Sequence, residues 1–425
     1  MLDRQVAPPV QPLASVTLPA ADVFSLPNGA RLHIMRNNAQ PVVRLQVVFP
    51  AGKWYDPASG VSLLTARMLL EGTRTRTARQ IADEVAFYGA SLECEQGFDR
   101  ATLTLYCLTR HLQQLMPLMV DVITEPTFPR AEFDLLKTRT IQNVQIERQK
   151  ASHLAAERFS HNLFGAAHPY GAIFNEAVFQ ATTTADVQHF HQRTYLLGSS
   201  EIFLCGDVNI QHEQLLAQLL AEQPASDNPL VIEKATPQPT LTHDHVLLVD
   251  SIQSSLRIGR TWLNPSHPDY HSLQVLVKVL GGYFGSRLMK NIREDKGYTY
   301  GIYASVSPRE HATSFIIGTD VNAESTSSAI TEVHRELKCL QEELIPADEL
   351  QTVKNYMAGK FANELSTVFE QCDKYKTLVF QNLPASYYTD FLDQIGAVTS
   401  EKLQDLAIQY LSPASMIEVV SGPLR

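Results

Sequence analysis

Phe128-Pro129-Arg130-Ala131-Glu132-Phe133-Asp134-Leu135-Leu136-Lys137 has a later echo in Ile345-Pro346-Ala347-Asp348-Glu349-Leu350-Gln351-Thr352-Val353-Lys354. Pro129 to Pro346 and Lys137 to Lys354 share an offset of 217. The pattern then continues. Thr184-Ala185-Asp186-Val187, leading to Tyr195-Leu196, is matched by Ser400-Glu401-Lys402-Leu403, leading to Tyr410-Leu411. Each is followed by an apolar run ending in glycine, Ile202 to Gly206 and Ile417 to Gly422, with an offset of 216 between the glycines. A period this long marks duplicated domains, because solenoid repeats run only about 20–50 residues.

Around these landmarks strands and helices interleave. Val42 to Pro50 alternates and is β-branched, as a strand requires. Thr77 to Tyr88 carries Ile81, Val85 and Phe87 at helical spacing, and His111 to Ile123 is a second amphipathic helix, closed by Pro126. The fold class expected is α+β: two homologous domains, each a sheet flanked by helices on one face. Proline and polar residues without periodicity, Gln223 to Pro229 and Thr236 to Thr240, read as a linker. The division is therefore 1–25 N-terminal extension, 26–222 first domain, 223–240 linker and 241–425 second domain. The two domains are expected to close like a clam about a hinge near residue 230.

The 425 residues are 44% hydrophobic and 19% charged, an ordinary globular mixture with ample core. A net charge of -10 argues against a nucleic-acid or anionic-membrane partner, which would demand excess Lys and Arg. Met1 to Pro9 has no basic segment followed by an apolar one, and no run is long enough to span a bilayer, so a cytoplasmic location is expected. The five cysteines, Cys94, Cys107, Cys205, Cys339 and Cys372, are odd in number and scattered. With no Cys-x-x-Cys pair they read as small buried hydrophobes, not a disulfide framework or thiolate metal site.

Leu280-Gly281-Gly282-Tyr283-Phe284-Gly285-Ser286-Arg287-Leu288-Met289, continuing through Ile292-Arg293-Glu294-Asp295-Lys296-Gly297-Tyr298-Thr299-Tyr300-Gly301, is the most distinctive stretch. It resembles the second-domain signature of the pitrilysin/insulinase-like zinc peptidases, a family that includes processing peptidases and two-domain bacterial relatives. Leu26-Pro27-Asn28-Gly29, Glu71-Gly72-Thr73, Tyr88-Gly89-Ala90 and His168-Pro169-Tyr170-Gly171 extend the likeness over nearly the whole chain.

That family carries zinc on a first-domain helix bearing His-x-x-Glu-His, whose spacing sets two imidazoles and a carboxylate on one face. By this resemblance the helix runs between Gly60 and Met68, and the three motif positions hold Leu63, Ala66 and Arg67. Leucine and alanine have no donor atoms, and a guanidinium is permanently charged and repels a cation. The third ligand would come from Thr140 to Glu147, where Glu147, the nearest acid, falls slightly late. No cofactor is therefore expected in this chain, and zinc is expected in a partner subunit.

The resemblance further implies a retained pair. Arg293 and Tyr300, seven residues apart with Gly297 between, match the Arg and Tyr with which the family holds the substrate backbone and hydrogen-bonds the scissile carbonyl. Some bacterial relatives divide their site between a zinc-bearing subunit and an Arg/Tyr subunit, and this chain looks like the second kind. Its partners would be a homologous zinc-bearing peptidase subunit and unfolded peptides enclosed in a shared chamber. The alternative is an inert structural paralogue acting as an assembly scaffold. A mitochondrial subunit with a glycine-rich substrate loop also lacks zinc, but Gly281, Gly282 and Gly285 belong here to the general signature.

Other constellations carry less. In His267-Pro268-Asp269-Tyr270-His271, Pro268 suits a first helical turn, which leaves His267 at the cap, off the helical face of His271. His189 and His191 diverge on a helix, and His243 and His245 read as solvated. Ser286 lacks a Gly-x-Ser-x-Gly frame, and Gly281-Gly282 lacks the Lys-Ser/Thr ending of a phosphate loop.

Overall fold

A computed structural model describes residues 17–221 and 235–423. Most of the expected linker, and the hinge near residue 230, lie outside the described residues.

The first half runs β1 (Asp22–Ser25), β2 (Arg31–Arg36), β3 (Val42–Phe49), α1 (Val61–Met68), α2 (Ala78–Phe87), β4 (Ser91–Gln96) and β5 (Ala101–Leu108). It continues with α3 (Leu112–Thr124), α4 (Arg130–Glu147), α5 (Ala151–Phe164), α6 (Glu176–Ala181), α7 (Thr184–Thr194), β6 (Glu201–Gly206) and α8 (Ile210–Ala221). The second half runs β7 (His243–Leu247), β8 (Gln253–Trp262), α9 (Tyr270–Gly281), a π-helical turn (Met289–Asp295), β9 (Thr299–Pro308) and β10 (Thr313–Asn322). Then follow α10 (Thr326–Glu342), α11 (Ala347–Asn363), α12 (Val368–Gln381), α13 (Phe391–Ala397), α14 (Ser400–Tyr410) and β11 (Ile417–Gly422).

The two sheets have one topology. The first is ordered β1-β2-β6-β3-β5-β4 and the second β7-β11-β8-β10-β9, the same order without the outermost strand. β1, within the expected N-terminal extension, pairs antiparallel with β2. Local chemistry fixes many helix starts: Thr77 with Gln80, Thr183 with Asp186 and Thr367 with Glu370 form reciprocal capping boxes on α2, α7 and α12.

The echoed lysines serve one purpose twice. The ammonium of Lys137 donates to the carbonyls of Gln180 and Thr182 at the end of α6, 2.6 and 2.7 Å away. That of Lys354 donates to Gly396 and Val398 at the end of α13, 2.7 and 2.6 Å away. In each half a cation on the long helix satisfies the orphan carbonyls at another helix's C-terminus.

One expectation needs correcting. Helices cover not one face of each sheet but both, because the halves exchange a helix. α5 of the first half packs on β8 and β11 of the second sheet, and α12 of the second half packs on β6 and β2 of the first. The two helices start 217 residues apart, at Ala151 and Val368, so the exchange is reciprocal. This explains why β3 is buried almost throughout and does not alternate. Phe159, Leu163 and Phe164 of α5 join Ile417 and Val419 in one apolar cluster, and Val368 and Cys372 of α12 join Met35, Val48, Phe203 and Cys205 in another.

The β4–β5 and β9–β10 hairpins meet between the halves. Arg100 and Glu310 form a bidentate ion pair at 2.7 Å, and the Arg309 guanidinium lies 3.5 Å from the centre of the Phe98 ring. Apolar clusters on both sides pack the halves together.

Candidate functional site

The signature stretch folds into a tight sequence of irregular backbone. α9 ends on Gly281, where a Cβ would stand 2.6 Å from the amide nitrogen of Ala304 on β9. Only glycine allows helix and strand that close. After Tyr283 to Ser286 comes the π-helical turn, a rare conformation frequent at functional sites. Gly297, at φ +66°, then reverses the chain, and the Tyr298 amide donates to the Ile292 carbonyl at 3.0 Å. β9 starts at once and forms an edge of its sheet. The pairing of β9 with β10 slips between Thr319 and Val321, so Tyr300 stands in a β-bulge, a device that re-aims a side chain.

This backbone brings Arg293 and Tyr300 together. The Arg293 guanidinium lies 5.0 Å from the centre of the Tyr300 ring and 4.7 Å from that of Phe284. Among the described residues no carboxylate pairs with Arg293, so its cation is held by ring faces and its N–H groups stay free. Tyr300 is 91% exposed and Phe284 62%, both unusual for aromatic side chains. An unpaired guanidinium beside an exposed phenol can donate to backbone carbonyls and to a carbonyl oxygen gaining charge. Phe284, an aromatic set between Gly282 and Gly285, is the third member of this cluster, and its place in the sequence does not reveal that role.

The other expected positions lie apart from this pair, on α1. Leu63 is half-buried, Ala66 fully buried and Arg67 exposed. Leu63 faces a cavity of about 400 Å³ walled by Lys53, Trp54, Asp56, Gln96 and His168. Asp56 accepts from the amides of Ser62 and Gly60, at 2.6 and 3.1 Å, at the start of α1. Burial nevertheless pushes its carboxyl up to about 6, against the opposing effect of those donors. Burial also lowers Lys53, whose ammonium donates to the Ala172 carbonyl at 2.7 Å.

A zinc ion does not fit this helix. Two of the three side chains offer no donor atom, and among the described residues no three His, Cys, Asp or Glu converge on one point. Glu147 closes α4 and pairs with Lys150 at 2.6 Å. His267 precedes α9, its Nδ1 accepting from the Asp269 amide at 3.1 Å. His191 is half-buried on α7 with Nε2 bonded to the Ile123 carbonyl at 2.8 Å, and desolvation lowers it to about 4. His243 and His245 stand exposed on the edge strand β7.

Comparison with known proteins agrees with this architecture. Residues 32–176 match the family model for insulinase (peptidase family M16), and residues 181–357 match that for the peptidase M16 inactive domain. A crystal structure described as a peptidase M16 inactive domain from Pseudomonas fluorescens is similar at 27% identity, with a TM-score of 0.87 over 95% of this chain and 98% of that one. An uncharacterized zinc protease of Bacillus subtilis is 21% identical, over 94% of this chain and 97% of its own. A non-peptidase homolog from Helicobacter pylori is 23% identical, over 81% of this chain and 80% of its own. No helix among the described residues is long and apolar enough to cross a membrane. With the duplicated sheets and the exchanged helices, these matches place the chain in the insulinase (peptidase M16) family.

Proposed function

We propose that this chain is the zinc-free subunit of a heteromeric peptidase, working in the cytoplasm. It holds an unfolded peptide and presents Arg293 and Tyr300 to the zinc site of a homologous partner. The domains are 26–222 and 241–425, joined by 223–240, and the second supplies the pair. Leu63, Ala66 and Arg67 are the relics of the metal helix in the first. The observation that carries this reading is the Arg293–Tyr300 pair itself: a cation without a counter-ion among the described residues, beside a phenol 91% exposed on an edge strand. A scaffold has no use for either, and leaving both in water gains no folding free energy.

Peptide hydrolysis then depends on the phenol's hydrogen bond to the developing oxyanion. Loss of one such donor costs about 10²–10³ in rate. Tyr300→Phe is therefore expected to cut the peptidase rate of the complex at least tenfold without dissociating it. Unchanged turnover contradicts the proposal. A second reading, an inert paralogue serving assembly alone, is favoured by the likeness to a non-peptidase homolog. It predicts that Tyr300→Phe changes nothing.

A further inference from the structure

One face of α9 lines a cavity of about 570 Å³ in the second half, bounded by β9 on one side and by α11, α12 and α13 on the others. Its size is that of pockets which hold small molecules. Neither Arg293 nor Tyr300 lines it.

The two ends of the cavity differ. His271 and Lys278 both line it and lie seven residues apart on α9, hence on one helical face and about 10 Å apart along its axis. Around His271 the walls are aromatic. The imidazole centre lies 4.6 Å from that of the Tyr387 ring and 5.3 Å from that of Phe391, which packs 4.8 Å from Phe361. Burial lowers His271, so this end carries no charge at neutral pH. At the other end Lys278, Lys360 and Lys374 face a single lining carboxylate, Glu364. Lys374 and Lys360 share it, at 2.5 and 3.7 Å. Among the described residues no carboxylate pairs with Lys278, whose ammonium donates to the Gly282 carbonyl at 3.1 Å. Burial and the neighbouring Lys360 charge lower Lys278, as befits a cation short of anions. In a chain of net charge -10, this excess of cations is local.

We propose that the cavity binds a small aromatic carboxylic acid, its carboxylate on the Lys278 ammonium and its ring beside Tyr387 and Phe391. The acid supplies the counter-ion that Lys278 lacks, and a charge-assisted hydrogen bond is stronger in a partly desolvated site than in water. The ring buries its apolar surface against the aromatic walls. A separation of about 10 Å between the two ends suits a body of about two rings in line. A neutral amide of the same shape fills the same space but leaves Lys278 without an anion.

The test is to titrate biphenyl-4-carboxylate, and separately its neutral amide, into the full chain by calorimetry. The expected result is one acid bound per chain, with the amide about tenfold weaker or more, as loss of a hydrogen bond between charged groups requires. Lys278→Met keeps the aliphatic stem and should bring the acid down to the affinity of the amide. Ser305→Trp, which sets an indole into the cavity from the edge strand β9, should abolish binding of both. Equal affinity for acid and amide, no binding of either, or an unchanged affinity for the acid in Lys278→Met would overturn the proposal. The ratio of acid to amide in the wild-type chain decides this even if a variant fails to fold. The titration needs neither a partner nor turnover, so its failure is distinct from failure of the peptidase reading.

Discussion

Replacing Lys137 with methionine removes one ammonium and leaves most of the side-chain volume, so it isolates the polar role of the repeated lysine. Lys137 is 8% exposed, and its ammonium holds the Gln180 and Thr182 carbonyls at 2.6 and 2.7 Å. The aliphatic stem passes over the Phe133 ring, with the nitrogen 5.2 Å from its centre. Methionine keeps that packing. Each lost charge-assisted hydrogen bond costs about 1.5–3 kcal/mol where the carbonyl stays buried. Part is recovered because no charge is desolvated, a cost visible in the lowering of Lys137 by burial. The net destabilisation works out at about 2–4 kcal/mol. Lys354 makes the same two bonds but is half-exposed, so water reaches the freed carbonyls and Lys354→Met should cost about 1 kcal/mol. Urea unfolding of each variant, followed by tryptophan fluorescence, measures the two costs. Equal costs at both sites, or a larger one at Lys354, would refute the reasoning, because burial would then not set the magnitude.

Two further outcomes follow from local geometry. Gly206 sits at φ +118°, and an added Cβ would meet the Val42 carbonyl oxygen at 2.2 Å, so Gly206→Ala should cost about 2 kcal/mol or more, measured as a lowered thermal midpoint. Asp56 titrates at about 6 when folded, above its unfolded value. Its contribution is complete below the unfolded value and is lost as pH rises through about 6. Wild type should lose about 2–3 kcal/mol relative to Asp56→Asn between about pH 4 and pH 8, and parallel midpoint profiles for the two proteins would contradict this.

Much of this fold is legible in the residues. The echo of Pro129–Lys137 in Pro346–Lys354 marks two long helices in equivalent places, and the glycines 206 and 422 end equivalent strands. The helix exchange is not legible. The apolar residues of α5 and α12 show that each helix is buried but not against which sheet, since hydrophobic burial has no partner specificity. For the same reason Cys205 and Cys372 read as two isolated hydrophobes. At the candidate site, the spacing of Arg293 and Tyr300 is plain in the sequence. Their convergence depends on a π-helical turn and a β-bulge, which leave no periodic trace, and the contribution of Phe284 appears only with the ring in place.

The central claim is that this chain completes a site it cannot form alone. The most direct measurement is affinity purification of the chain from its native cells, with stoichiometric partners identified by mass spectrometry and the complex assayed for peptide hydrolysis. The account predicts a partner of similar size carrying His-x-x-Glu-His, with zinc and activity present in the complex and absent from this chain alone. Recovery of the chain by itself, or with partners lacking that motif, would contradict it and leave Arg293 and Tyr300 as relics on a scaffold.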